Sequence, residues 1–302
     1  MFSIIVCTYN RDKYLYDALK CIAENGFSCP EYEIVLINNN STDNTENECK
    51  MFHRDFPQVN FNYFVELNQG LSFARNRGIM EAKGDWLVFL DDDSFVGKDY
   101  LKNLADNLEK YTDCEAFGGK ISPKFENGEI PKWLSKWTYS WVSAIDLGEN
   151  TQEFKGEKYP IGANMGIRKS TLNKTGYFNT KLGRSKKNLI GGEEKDIFNR
   201  IKNHGGRICY FPNIEVQHII PIHRTTDDYI VKMAQGVGMT ERIRTLSISK
   251  ISYLKRFLSE LIKWGASIVL FIGFCLKFQP QKGTKLLLFR WNVTKGLLTR
   301  SR

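Results

Sequence analysis

Residues 84–94, GDWLVFLDDDS, constrain this chain more than any other segment. Trp86-Leu87-Val88-Phe89-Leu90 is a short apolar run of strand-forming residues and reads as a strand covered on both faces. Asp91, Asp92 and Asp93 then stand at its C-terminal end, where open α/β sheets place their ligands. Three adjacent carboxylates repel one another, so a fold that keeps them together must supply positive charge. A hard divalent cation does so through oxygen ligands, often shared with substrate phosphates. The same residues also read as an acidic turn, with Asp93 or Ser94 capping the next helix.

The residues before this strand repeat one pattern. Strands are predicted at 2–7, 33–38 and 61–66, with helices at 12–25, 43–56 and 71–82 between them. Such alternation within 90 residues argues a doubly wound sheet with parallel strands, which binds nucleotides at its strand ends. Those ends carry Thr8-Tyr9-Asn10-Arg11 and Asn38-Asn39-Asn40-Ser41-Thr42-Asp43. Short polar groups there suit either the edges of a base or ribose, or simple helix capping. No G-x-G-x-x-G follows the first strand and no lysine-bearing phosphate loop occurs, which argues against a dinucleotide site or a P-loop.

Charge is unevenly placed. Residues 242–302 hold 13 Lys and Arg against the single acid Glu260, whereas residues 1–241 hold 30 against 33. The net +9 therefore belongs to the tail. Seven scattered cysteines without a CxxC pair predict reduced thiols, with neither a disulfide framework nor a zinc site. The chain opens on a strand with no leader-like segment, so a cytoplasmic location is expected. At 302 residues it can hold a substantial core and one or two domains.

The segments SIIVCTYN, EIVLINNNSTD, NQGLSFARNRGI and GDWLVFLDDD, in that order, are followed by GANM at 162–165, GGEE at 191–194 and Val216-Gln217-His218. Together they resemble the family 2 glycosyltransferases of the GT-A fold, of the bacterial type that assembles cell-surface polysaccharide. The resemblance covers roughly residues 1–225. It implies an α/β fold with a doubly wound mixed sheet: a nucleotide-binding half at 1–95 and an acceptor half at 96–225; residues 226–302 read, from their own composition, as a helical, membrane-associating tail. It further implies metal-dependent, inverting transfer of a sugar from a nucleotide-diphosphate donor to a glycan or lipid-linked acceptor.

Residue by residue, the resemblance puts Thr8, Tyr9 and Asn39 at the nucleotide base and Arg75 at the base or diphosphate. Asn68 and Gly70 would shape the preceding turn. Asp91 would approach the ribose and the metal, and Asp93 would ligate Mg²⁺ or Mn²⁺. His218 is a further metal or diphosphate contact, or a satisfied histidine at a strand end. Asn164 lines the sugar pocket, or is a turn asparagine. Many relatives carry aspartates where Asn38 and Asn39 stand, and an asparagine offers a donor as well as an acceptor, so the base stays open among uracil, thymine and guanine.

An inverting transfer also needs a base for the acceptor hydroxyl. In many relatives the second acid of the GGEE segment is an aspartate in that role; here it is Glu194, with Glu193 as the other candidate base and as a substrate contact. Acids in a first helical turn are favoured by the helix dipole whatever their function, so capping is the alternative for both. The basic loop Gly183–Asn188 reads either as a closing loop or as solvated surface. Trp133, Trp137 and Trp141 are spaced to share one face of a helix, as core or as a platform for the acceptor.

Residues 264–276 form an uncharged run of 13, short of the ~20 that span a bilayer. Basic residues and apolar anchors follow it. That composition suits residues 250–302 lying on an anionic membrane surface, on the cytoplasmic side of the plasma membrane. Nucleic acid is disfavoured as a partner by the apolar content. Two other classes share some of these features: a nucleotidyltransferase of similar fold, and an inert membrane-associated scaffold.

Overall fold

The computed structural model describes residues 1–25, 31–183 and 191–299. Four strands, β1 (Phe2–Thr8), β2 (Tyr32–Asn38), β3 (Phe61–Val65) and β4 (Trp86–Asp91), alternate with helices α1 (Asp12–Ala23), α2 (Thr45–Asp55) and α3 (Leu71–Glu81). They pair in parallel in the order β3-β2-β1-β4. β2 is buried at every position and β4 at all but Asp91, which is why both read as continuous apolar runs.

The second half of the sheet breaks the parallel pattern. β8 (Met165–Arg168) pairs antiparallel with β4, and β6 (Cys114–Phe125) pairs antiparallel with β8. β9 (Arg207–Ile220) and the short β5 (Ser94–Val96) complete the path, with β7 (Gln152–Glu153) on β9. The sheet is thus mixed, as expected. Helices α4 (Tyr100–Lys110), α5 (Lys169–Thr175) and α6 (Glu193–Asn203) cover it. Two apolar clusters form the core: one is centred on Ile4, Leu36 and Phe52, the other on Ile5, Phe89 and Phe198.

Cys114 on β6 and Cys209 on β9 are joined as a disulfide, with Cα atoms 6.2 Å apart. This corrects the expectation of reduced thiols for that pair. The two lie 95 positions apart and meet only because β6 and β9 are neighbours in the sheet. Cys7, Cys21, Cys49 and Cys275 are free.

The chain divides into two compact units. The first is the sheet with α1–α6. The second gathers Phe125–Val142 with three C-terminal helices, α7 (Asp227–Ile248), α8 (Lys250–Leu276) and α9 (Pro280–Leu298). The tryptophan segment is not the regular helix its spacing suggested: only Tyr139–Val142 forms a short 3₁₀ turn. The Ser135 amide bonds the Thr138 hydroxyl, and Thr138 Oγ1 bonds the Ser135 carbonyl; such local side-chain bonds compete with helix. Trp141 stacks on Phe289 of α9 at 4.3 Å between ring centroids, Trp133 packs on Trp141, and Trp137 is exposed.

Within this unit α7 and α9 approach very closely. A Cβ at Gly238 would lie 2.2 Å from the Val293 carbonyl, and one at Gly296 would lie 2.2 Å from that of Gln235. Only glycine permits such a crossing. The 13-residue uncharged run is part of α8, whose 27 residues are long and apolar enough to cross a membrane.

Candidate active site

The end of β4 delivers Asp91, one-third exposed, and then the buried Asp92 and Asp93. The chain turns at once into β5, whose antiparallel pairing with β9 sets Ser94 opposite His218. That register brings a histidine from 125 positions downstream to the acids. His218 Nε2 lies 3.2 Å from Asp93 Oδ1 and 4.0 Å from Asp91 Oδ2. One ligand atom from each of the three residues falls within 4.8 Å of the others.

Two carboxylates and an imidazole are a donor set that suits Mg²⁺ or Mn²⁺. The His218 ring nitrogens are buried without a hydrogen bond among the described residues, which fits a side chain shaped to ligate. On the other side, Arg11 Nη1 sits 2.9 Å from Asp92 Oδ1 and 2.7 Å from Asp93 Oδ2. Burial pushes the Asp92 carboxyl up to about 6, against the opposing pull of Arg11.

A second acid cluster is built by α3, α6 and the turn before β8. Arg75 is buried, and its Nη1 and Nη2 each lie 3.1 Å from an oxygen, Glu193 Oε1 and Glu194 Oε1 respectively. The Gly162 amide donates to Glu194 Oε1 at 2.8 Å. A Cβ at Gly162 would stand 1.9 Å from Arg75 Nη2, so only glycine leaves room for the pair. Glu194 keeps 20% of its side chain exposed and Glu193 only 5%. Burial, partly offset by Arg75 and reinforced by Glu193 and Asp91, pushes the Glu194 carboxyl up to about 7. Both clusters lie in the sheet unit, and the field of Asp91 reaches Glu194.

A family model described as glycosyl transferase family 2 matches residues 3–176, more than half of the chain. The chain belongs to that family. It is a glycosyltransferase.

A glucosyl-dolichyl phosphate glucuronosyltransferase of Haloferax volcanii is 25% identical to this glycosyltransferase over 84% of the chain and 82% of its own length. A Campylobacter jejuni GalNAc(5)-diNAcBac-PP-undecaprenol β-1,3-glucosyltransferase is 32% identical over 56% of the chain and 60% of its own. The match to Staphylococcus aureus TarS takes in only 25% of that protein. Among solved structures, a mannosyltransferase from Pyrobaculum calidifontis in complex with GDP-Man and Mn²⁺ superposes with a TM-score of 0.63. It is 16% identical, and the match covers 98% of this chain and 87% of the other. These likenesses fix the GT-A fold.

Other sequence-derived positions of this glycosyltransferase fall differently. The Asn39 side chain is engaged by the turn after β3. Its amide donates to the Glu66 and Asn68 carbonyls at 2.9 and 2.7 Å, and its Oδ1 accepts from the Gly70 amide at 2.8 Å. An aspartate could not make the two donations, so the asparagine here pins the turn between β3 and α3. Asn164 is likewise engaged within the fold. It is fully buried, accepts from the Tyr100 hydroxyl, and donates to the Lys120 and Ile214 carbonyls. Arg75 has its terminal nitrogens engaged by the two glutamates. Thr8, buried, and Tyr9, half-buried, end β1 beside the acids, since Cys7 pairs with Asp91.

Residues 184–188, read as a closing or surface loop, lie outside the described residues. Two contributors carried no assigned role in the sequence reading. Arg11 was legible in principle as the nearest base just after the strand that adjoins the three acids. Gly162 had no signal beyond its place in GANM.

Proposed function

We propose that this glycosyltransferase transfers its sugar with inversion, with Glu194 as the general base and a Mg²⁺ or Mn²⁺ ion held by Asp91, Asp93 and His218. The supporting observation is the state of the Glu194 carboxylate. Arg75 and the Gly162 amide fix Oε1, which leaves Oε2 for an acceptor hydroxyl at the one partly open acid of the pair. A carboxyl held near about 7 is half ionised at neutral pH, where a base is most effective. As the acceptor oxygen bonds the anomeric carbon, its proton passes to Oε2 and the bond to the diphosphate breaks on the opposite face. A cation at the aspartates would neutralise that departing diphosphate. Arg75 and Glu193 hold the base in place, and Thr8 and Tyr9 border the nucleotide.

The acceptor is a glycan, lipid-linked, in cell-surface polysaccharide assembly. Relatives named for dolichyl phosphate and undecaprenol substrates support this. Attachment to the cytoplasmic face of the plasma membrane, peripheral and through α8 and α9, accompanies it. The amphipathicity of α8 is reversed. Its two fully buried residues are Glu260 and Ser267, while Leu254, Leu258, Leu261, Ile268, Ile272 and Leu276 are exposed. A water-soluble helix buries the apolar set instead. One apolar face along ~40 Å of helix suits a segment lying in the interface, and basic residues beside it favour anionic lipid.

Calorimetric titration of the full chain with UDP, GDP and dTDP, with and without Mn²⁺, tests the donor site. Metal-dependent binding of one nucleotide, lost in Asp93→Ala, is expected. Binding of none by folded protein refutes the donor site.

A further inference from the structure

We infer that Arg11 is a built-in counter-ion that couples cation binding to diphosphate binding at the Asp91–Asp93 turn. The inference rests on the donor-site reading above. Arg11 opens α1, directly after β1, and lays one nitrogen across two carboxylates, 2.9 Å from Asp92 and 2.7 Å from Asp93. The acids are almost completely buried, at 5% and 0% exposure, while Arg11 keeps 26% of its side chain open. Two adjacent buried carboxylates without compensation would be strongly unfavourable. Arg11 therefore lets the turn fold before any cation arrives.

The same contact has a cost for the cation. Asp93 carries the guanidinium on Oδ2 and faces His218 with Oδ1, the side on which the Asp91–Asp93–His218 cluster opens. A cation bound there shares its main carboxylate with an arginine, and two positive charges on one carboxylate repel. Cation alone therefore binds weakly. A diphosphate brings negative charge to both, so each ligand strengthens the other, and linkage makes the effect reciprocal. Arg11 acts here as a positioning residue, through Asp93.

The test is Mn²⁺ titration of full-length wild type, Arg11→Met and Arg11→Lys, followed by the Mn²⁺ resonance signal, without nucleotide and with saturating UDP or GDP. In wild type, nucleotide is expected to tighten Mn²⁺ by about a hundredfold. Arg11→Met binds Mn²⁺ alone about tenfold tighter and loses most of the nucleotide effect, whereas Arg11→Lys, keeping the charge, stays near wild type. A merely structural arginine would predict the reverse, with weaker Mn²⁺ binding in Arg11→Met. Unchanged or weaker Mn²⁺ binding by folded Arg11→Met, checked by circular dichroism, overturns the inference and leaves the donor site standing. Should Arg11→Met not fold, the wild-type titration decides: Mn²⁺ affinity indifferent to nucleotide overturns it. If wild type binds no nucleoside diphosphate at all, the donor-site reading fails instead.

Discussion

Two buried clusters of acids and arginines can be set side by side, one in the sheet unit and one among the C-terminal helices. In the first, Arg75 is shared by Glu193 and Glu194, so acids exceed bases. Glu193 Oε2 has no hydrogen bond, and Glu194 is pushed up to about 7. In the second, Glu260 is 1% exposed and shared by two arginines, Arg256 at 2.8 Å on Oε2 and Arg290 at 3.0 Å on Oε1. Arg256 also reaches Glu241 at 3.0 Å, so that network continues. Every oxygen of Glu260 is taken, and the cluster joins α8 to α9. The contrast teaches that burial of an ion pair does not mark function. In the proposed site, what differs is the partly open Glu194, whose second oxygen no arginine holds.

The largest effect that could break this comparison comes from Glu194→Gln. Transfer should fall by about 10²–10⁴ in kcat, while the affinity for nucleotide measured by calorimetry changes little. Turnover near wild type would show that the spare oxygen is not the base. Next, Glu260→Ala should cost about 3 kcal/mol in urea unfolding, because it strands Arg290 and takes one of two acidic partners from Arg256. Its kcat per folded molecule should stay close to wild type. A large kcat loss in the folded variant would erase the distinction between the clusters.

The pH profile sharpens the same point. Glu194 must be ionised to act, and its carboxyl is raised to about 7, so kcat should climb with pH through about that value. Arg75 holds this carboxyl down, so Arg75→Gln should move the rise to higher pH. A rise centred near the ordinary carboxylate range would say that Glu194 is not the titrating group. The smallest effect is on the outer face of α8. Val269→Glu, 70% exposed in the parent, should weaken co-sedimentation with anionic phosphatidylserine vesicles about tenfold and leave urea stability unchanged. Equal vesicle binding would remove the membrane reading of that face.

Where the site was legible, it was through local chemistry. Asp91–Asp93 announced themselves because a strand running into three acids is a pattern read within ten residues. Glu194 stood out as a candidate through the acid pair opening a helix. Asn39 and Asn164 stood out as candidates without showing what they bond. A polar residue at a strand end suits a ligand as well as it suits a neighbouring carbonyl, and only the positions of Glu66, Asn68, Lys120 and Ile214 decide between them. The tryptophans had helical spacing, yet Ser135 and Thr138 turned the backbone by short side-chain bonds that periodicity does not weigh.

By itself, the sequence determined the alternation of strands and helices over the first 90 residues, the acids at the end of β4 and the basic, apolar tail. These depend on which side of a strand or helix a residue faces, and that is a property of spacing along the chain. Tertiary structure alone decided that Arg11 bridges Asp92 and Asp93, and that β9 carries His218 to them. It alone decided that Cys114 meets Cys209, and that α8 turns its apolar side outward. Each of these joins residues tens of positions apart through a sheet neighbour or a helix crossing. Such partners are chosen by packing of the whole chain, which no local pattern encodes.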